Sequence, residues 1–518
     1  MISWLEKFNK PKTYLLLVNV FLVFFLIILN NLKVIPLQLG DFVFFTILAL
    51  AFALWRPSWA FLFFCGTVPL ENVNLAPLSL GIAIRPYQFI GAILVVAVLA
   101  RLASGRLNFK LAKLKIPDYA VILMAMGGLL GAIFSPDKMT SLKLEIIFIT
   151  FVMLYFLVRN YIQNIDDAKK TVPFFLSSAL VVMLYGLWQN IIYLHSRQSF
   201  EVMLGRPNAT FTEADWLGAF MVLIVAIFYA LLYYPHSEWS DRMTELGIYF
   251  FLALSYILLI LTVSRSAWLA ALVAWLIFIW IFFTDLRFKN WRLKETVYLK
   301  IKIFVVLVLS IAIVYIFHLT NFQLLNRVQS TGTGLQKITV SCDKDDNLPK
   351  SIKEIAELEK YNCHHINLED IDREKEAGRF VTEVNRPDPN MNVRAQIYQK
   401  SWVEIKNHPL TGIGWGSIGP LLGRDGRGTA LNSSNIFLET YLGAGILGFL
   451  ALIFLLSHIL FTSVKNYFYA TNRLSKTFNL FIIISWFGLV IFNLFNAGIF
   501  LGFLWVWLAI VQMKDEII

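Results

Sequence analysis

Four arginines stand where the chain passes between polar and apolar stretches. They are Arg85 before Pro86, Arg206 in Gly-Arg-Pro-Asn-Ala-Thr, Arg265 in Ser-Arg-Ser, and Arg394 near the end of a long polar segment. A guanidinium at a membrane boundary is costly unless a partner compensates its charge. Snorkelling to lipid headgroups would explain any one of them. Four on one face point instead to a shared anion, and the planar donor fork fits the oxygens of a phosphate or diphosphate. Carboxylates stand close by in sequence. Glu213 and Asp215 follow Arg206, and Glu439 enters a later apolar block. In the first turn of a helix a carboxylate also serves as a cap, so these three carry a structural reading beside a chemical one.

The elements that must position these residues are membrane spans. The chain of 518 residues is 58% hydrophobic and only 15% charged, against about a quarter charged in a soluble domain. Its apolar residues come in blocks of about 20, the length that crosses the hydrocarbon layer as a helix. The pattern predicts an all-α polytopic membrane protein with about 12–14 transmembrane helices. The spans fall near 14–30, 40–55, 58–70, 86–103, 118–134, 143–159, 172–194, 216–234, 246–263, 267–284, 302–319, 436–461, 478–495 and 498–513. The third is short, holds Pro69 near its end, and reads as a half-helix or re-entrant segment. The first block lacks a small-residue cleavage pattern and reads as a span, not as a signal peptide.

Basic residues give the orientation. With Lys7, Lys10 and Lys12 inside, the Arg101–Lys115, Arg159–Lys170, Arg287–Lys300 and Lys465–Lys476 clusters also fall inside, as the positive-inside rule requires. Both termini are then cytoplasmic, in the inner or plasma membrane. The formal charge of +11 belongs to loops facing anionic lipid, and no nucleic-acid partner is needed to account for it. Segments 31–39, 71–85, 135–142, 195–215, 264–266 and 320–435 are left outside, with all four arginines. The expected organisation is an N-terminal group of helices over 1–319, a large extracytoplasmic loop over 320–435, and a C-terminal group of helices over 436–518.

A stretch as long as 320–435 is more than a connection. Within it, Lys350–Lys360 reads as a short helix with Ile352, Ile355 and Leu358 on one face. Cys342 and Cys363 can pair in an oxidising compartment, but spacing does not settle the geometry. Cys65 reads as packing. Cys363-His364-His365 lacks a further ligand at metal-site spacing and reads as a solvated cluster, so no metal is expected. Asp425, with Arg424 and Arg427, reads as a loop able to touch acidic glycan. Gly412, Gly414 and Gly416 lack a preceding strand and read as turns near the site.

Four segments together resemble the O-antigen ligase and O-antigen polymerase superfamily over residues 205–450. Gly205-Arg206-Pro207-Asn208-Ala209-Thr210-Phe211 resembles its loop-to-helix entry, and Ser264-Arg265-Ser266-Ala267-Trp268 its Ser-Arg turn. Arg394, Trp402 and Asn407-His408-Pro409-Leu410-Thr411-Gly412-Ile413-Gly414 resemble its Arg…Trp…His-Pro-Leu segment. Ser433-Ser434-Asn435 running to Gly445-Ile446 is similar to its last entry. The resemblance implies a helical, GT-C-like membrane glycosyltransferase. It would move a glycan from a polyprenyl-diphosphate (undecaprenyl-type) carrier to a lipid or glycan hydroxyl outside the membrane, using no nucleotide sugar, cofactor or metal. Lipopolysaccharide ligases of the family carry a His where this chain has Ser434, which favours a polymerase or a ligase for another surface glycan.

On that reading Arg206, Arg265 and Arg394, with Arg85 in a lesser role, would hold the diphosphate. Glu213 and Asp215 are candidate bases, and Ser434, Asn435 and Glu439 stand on the acceptor side. A diphosphate leaves readily, so positioning can supply much of the rate. His408, before Pro409, reads as structural. The competing readings are a transporter or lipid-linked glycan flippase, which calls for internal repeats and a mid-membrane relay, and a non-catalytic envelope assembly scaffold. Asn19, Gln189 and His458 are the deepest polar residues and form no evident relay.

Overall fold

The computed structural model describes residues 10–107, 109–196, 199–233, 242–288, 293–320, 335–343, 348–366, 371–387, 389–424 and 430–513. Asp425 and Arg427 lie outside them. The chain is an all-α polytopic membrane protein with one small sheet. Its apolar helices are α1 (Lys10–Asn31), α2 (Leu39–Trp55), α3 (Pro57–Thr67), α4 (Pro86–Ala103), α5 (Ile116–Phe134), α6 (Lys138–Tyr161) and α7 (Ile165–Ser196). They continue with α8 (Ala214–Tyr233), α9 (Arg242–Leu261), α10 (Arg265–Phe288) and α11 (Leu293–Ile316). After the loop region come α15 (Ile436–Tyr469), α16 (Arg473–Asn493) and α17 (Gly502–Ile510). Among the described residues, nine helices are long and apolar enough to cross a membrane, and three more are only slightly shorter. The remaining two, α3 and α17, are half-length: α3 stops at Thr67, two residues before Pro69.

Burial follows the logic of a lipid solvent. Apolar side chains such as Phe21, Phe44, Ile47 and Trp55 face outward, while Asn19, Gln189 and Asn190 are buried. In hydrocarbon it is the polar groups that must find partners inside the protein. Asn19 accordingly donates to the Phe174 carbonyl and to Ser177 and Ser178, fastening α1 to α7. The central helix is α8, most of whose residues are buried. Helices α5 and α15 meet through small residues. A side chain at Gly127 or Gly131 would strike the Ala444 or Gly443 carbonyl.

The loop region folds into more than connections. Strands β1 (Leu335–Cys342), β2 (Cys363–His365) and β3 (Phe380–Pro387) form an antiparallel sheet in the order β2-β1-β3. A disulfide joins Cys342 to Cys363, which face each other across β1 and β2. Ile338, Val340, Leu358 and Val384 form a core separate from that of the bundle. The expected helix over Lys350–Lys360 is corrected: the segment is 3-10 helical only over Ile355–Tyr361, with Ile352 and Leu358 buried and Ile355 exposed. The sheet explains this, since Ile352 N donates to the carbonyl of Asn385 within β3 and holds the start of the segment alongside that strand. Helices α12 (Ile371–Glu376), α13 (Pro389–Asn407) and α14 (Trp415–Leu422) complete the region.

Candidate active site

The turn between α16 and α17 gathers the segments that carry the candidate residues. Asn435 donates from Nδ2 to the Leu494 carbonyl at 3.0 Å. Arg394 donates from Nη2 to the Phe495 carbonyl at 3.2 Å, with its guanidinium 5.9 Å from the Phe495 ring centre. Asn496 donates from Nδ2 to Ser266 Oγ at 2.9 Å, beside Arg265, the first residue of α10. Three segments far apart in sequence thus meet three consecutive residues. The turn is itself fixed, because Asn493 accepts from Gly498 N at 2.9 Å and donates to the Leu489 carbonyl.

Each arginine sits in a different electrostatic setting. Arg85 Nε lies 3.0 Å from Glu71 Oε2 and donates to the Glu71 carbonyl. Glu71 also accepts from Tyr87 OH and from Gly502 N at 2.6 Å, so it clamps the start of α17. Burial pushes the Glu71 carboxyl up, against the lowering pull of Arg85. Arg206 is buried, donates from Nε to the Thr262 carbonyl at 2.8 Å, and pairs with Asp215 at 3.2 Å. Among the described residues no carboxylate pairs with Arg394, whose contacts at the turn are a neutral carbonyl and a ring. Arg265 adds its charge at a helix N-terminus, where the amide dipoles already favour an anion.

The Arg206 segment is pinned on every side. Thr210 Oγ1 donates to the Pro69 carbonyl at 2.7 Å, and Asn72 N donates back to the Thr210 carbonyl. Gln189 accepts from Ala209 N and donates to the Phe200 carbonyl, while Asn208 binds Val202 N and the Phe211 carbonyl. Gln189, deep in the sequence pattern, therefore holds the loop in place.

The 407–414 segment docks into a break in α15. Gly445 has φ 63° and ψ −166° inside that helix, a conformation open to glycine. The Leu410 carbonyl fills the gap and accepts from Ile446 N at 3.2 Å, and a Cβ on Gly445 would clash with it. Ile413 N and Gly414 N both donate to the Leu442 carbonyl. Gly412 and Gly414 have positive φ as well. His408 is half-exposed and lies 3.8 Å from Glu404 on α13.

The candidate carboxylates sit in different settings. Asp215, in the first turn of α8, is engaged by Arg206. Glu439 is buried and accepts from Ser433 N at 2.7 Å, while Asn435 caps α15 by accepting from Phe437 N and Leu438 N. Ser434 adopts φ 51° and donates its amide to Asn432. Glu213 is half-buried just before α8, and its carbonyl accepts from Trp216 N and Leu217 N. Among the described residues no His, Cys, Asp and Glu cluster could hold a metal.

Sequence reasoning missed Glu71, Glu201, Asn493 and Asn496. Glu201 accepts from Gly205 N at 2.7 Å with Oε2, while its Oε1 is buried without a partner among the described residues. Burial pushes its carboxyl up to about 7, against the Gly205 and Arg206 amides. The signal for Asn493 and Asn496 was there: two amides in Phe-Asn-Leu-Phe-Asn-Ala-Gly between apolar blocks.

The geometry brings together the loop entering α8, the start of α10, Arg394 on α13 and the cap of α15. Residues 248–453 match a family model described as O-antigen ligase. No curated protein matches the chain.

Proposed function

We propose, from the match of residues 248–453 to the O-antigen ligase family model, that the chain is a member of the O-antigen ligase and polymerase superfamily and transfers a glycan from a polyprenyl-diphosphate carrier to an acceptor hydroxyl on the extracytoplasmic face. The family gives the coarse role, O-antigen ligase-like glycan transfer in surface polysaccharide assembly. The observation that carries the finer reading is the Leu494–Asn496 turn, which receives Asn435, Arg394 and the Ser266 next to Arg265.

The acceptor oxygen attacks the anomeric carbon of the donor sugar. The bond from that carbon to the phosphate oxygen breaks, and its electron pair leaves with the carrier diphosphate. Arg394 is the leading diphosphate group because no carboxylate among the described residues neutralises it. Arg265 and Arg206 complete the cationic face, with Arg206 oriented by Asp215. Arg85 belongs chiefly to the buried clamp on Glu71. The hydroxyl proton passes to one of the carboxylates at the mouth of α8, Glu213 or the Arg206-paired Asp215, or to the departing phosphate. Positive groups preset where charge develops lower the barrier without rearranging during the reaction. Ser434, at the position of the ligase His, favours a polymerase or a ligase for a glycan other than lipopolysaccharide.

The test is glycan transfer in nanodiscs with a polyprenyl-diphosphate oligosaccharide, comparing wild type with Arg265→Ala and Arg394→Ala at matched expression. Transfer lost in both variants supports the reading, and product length separates single ligation from polymerisation. Unimpaired carrier binding or movement with no transfer to any acceptor would overturn it in favour of a flippase.

A further inference from the structure

We infer that an apolar cavity between α7 and α16 holds one acyl chain of a membrane phospholipid, which supports the helices presenting the Leu494–Asn496 turn. The cavity measures about 220 Å³ and is open on one side. It lies at the end of α16 remote from the turn, walled by Phe478 and Phe481 of that helix and by Phe503 and Trp507 of α17. Helix α16 therefore carries the turn at one end and borders the void at the other, and α17 borders it along its length. Half-buried Phe175 on α7 and Phe481 on α16 also line it.

The occupant follows from the lining. Apart from Lys169, Thr171 and Thr477, every lining residue is apolar. A void of this kind stays dry, and left empty it destabilises in proportion to its volume. Between membrane spans the filling medium is hydrocarbon, not water. At one end of the lining, in the polar first turns of α7, stands Lys169, paired with Asp166 at 2.9 Å and about one-third exposed. That ammonium suits the phosphate of a headgroup whose chain enters the cavity. The carrier's own tail is the poorer fit. Phe211 and Phe220 pack on Phe503 at 6.1 and 5.6 Å, and these buried rings close the way from the Arg206 loop to the cavity.

The test uses the full chain in detergent, with bound lipid read by native mass spectrometry and stability by thermal unfolding. It needs no glycan transfer, so it succeeds or fails apart from the proposed activity. Wild type should retain phospholipid after purification. Once delipidated it should unfold at a lower temperature and recover when phosphatidylglycerol is added. Ala230→Phe, which fills the cavity from α8, should lose most of that lipid and the response to add-back. If that variant does not fold, dibrominated phosphatidylglycerol should quench wild-type fluorescence, and less so in Trp507→Phe. Equal retention and equal recovery in wild type and Ala230→Phe would overturn the inference. So would quenching unchanged by Trp507→Phe, or stabilisation by polyprenyl phosphate but not by phosphatidylglycerol.

Discussion

The Leu494–Asn496 turn and the small sheet at β1–β3 are built in opposite ways. The turn has almost no core of its own; its shape comes from bonds to residues 59, 101 and 230 positions away in sequence. The sheet closes on itself, with its own buried residues and a disulfide spanning 21 positions. A site made of long-range pins is only as well placed as each pin, whereas a self-contained unit can be damaged without disturbing its neighbours. On the proposed function, the turn is where transfer would be decided and the sheet would be a separable module of the loop region.

The largest effect tests the first half of that contrast. Arg394→Ala should cut the transfer rate by about 100-fold or more, the cost of losing one preset group at developing charge. Near-normal kinetics in nanodiscs would remove Arg394 from the site. Replacing both sheet cysteines, as Cys342→Ser with Cys363→Ser, should cost that unit about 3 kcal/mol, as expected for a closed loop of this length. Proteolysis within 335–387 should then accelerate while transfer stays close to wild type. A parallel loss of transfer would show the two regions to be one.

Smaller effects sharpen the picture of the pins. Gly445→Ala puts a methyl group against the Leu410 carbonyl at positive φ. It should destabilise the protein by at least about 2 kcal/mol in thermal unfolding. Asn496→Ala removes the bond to Ser266. It should slow transfer about five-fold, the equivalent of about 1 kcal/mol for one hydrogen bond, and leave the sheet's protease resistance unchanged.

The last effect is a pH slope. The Glu201 carboxyl, ordinarily near 4.5, is held at about 7. Between those values the folded protein keeps a proton that the unfolded chain has released, so stability falls as pH rises through that window. Glu201→Gln keeps an acceptor for Gly205 N and should flatten that section of the slope. Unfolding temperatures that track wild type from pH 4.5 to 7.5 would show that Glu201 is not the group responsible.

How much of this was legible in the sequence depended on the range of the interaction. Half-helices α3 and α17 correspond to predicted spans, and Pro69 marked the first of them as short. The sheet was missed because its strands sit in a polar stretch where period-two alternation is weak. Leu335–Cys342 alternates only partly between exposed and buried positions. The candidate arginines were visible as types at boundaries, but not their pairing. Nothing local to Arg85 announces Glu71, and nothing near Arg206 says that Asp215 will face it across a turn.

By itself the sequence determined the solvent and the class: long apolar blocks can only be membrane helices, because unpaired backbone is intolerable in lipid. It also set the order of the segments that resemble the family. Only the tertiary structure decided which arginines are paired with a carboxylate, as Arg85 is with Glu71 and Arg206 with Asp215, since that depends on which segments the fold brings together. It alone decided, too, that a seven-residue turn near the C-terminus, Leu494–Phe500, would be the meeting point. Such a turn has no periodicity to read, and its partners lie on helices that come together only when the bundle packs.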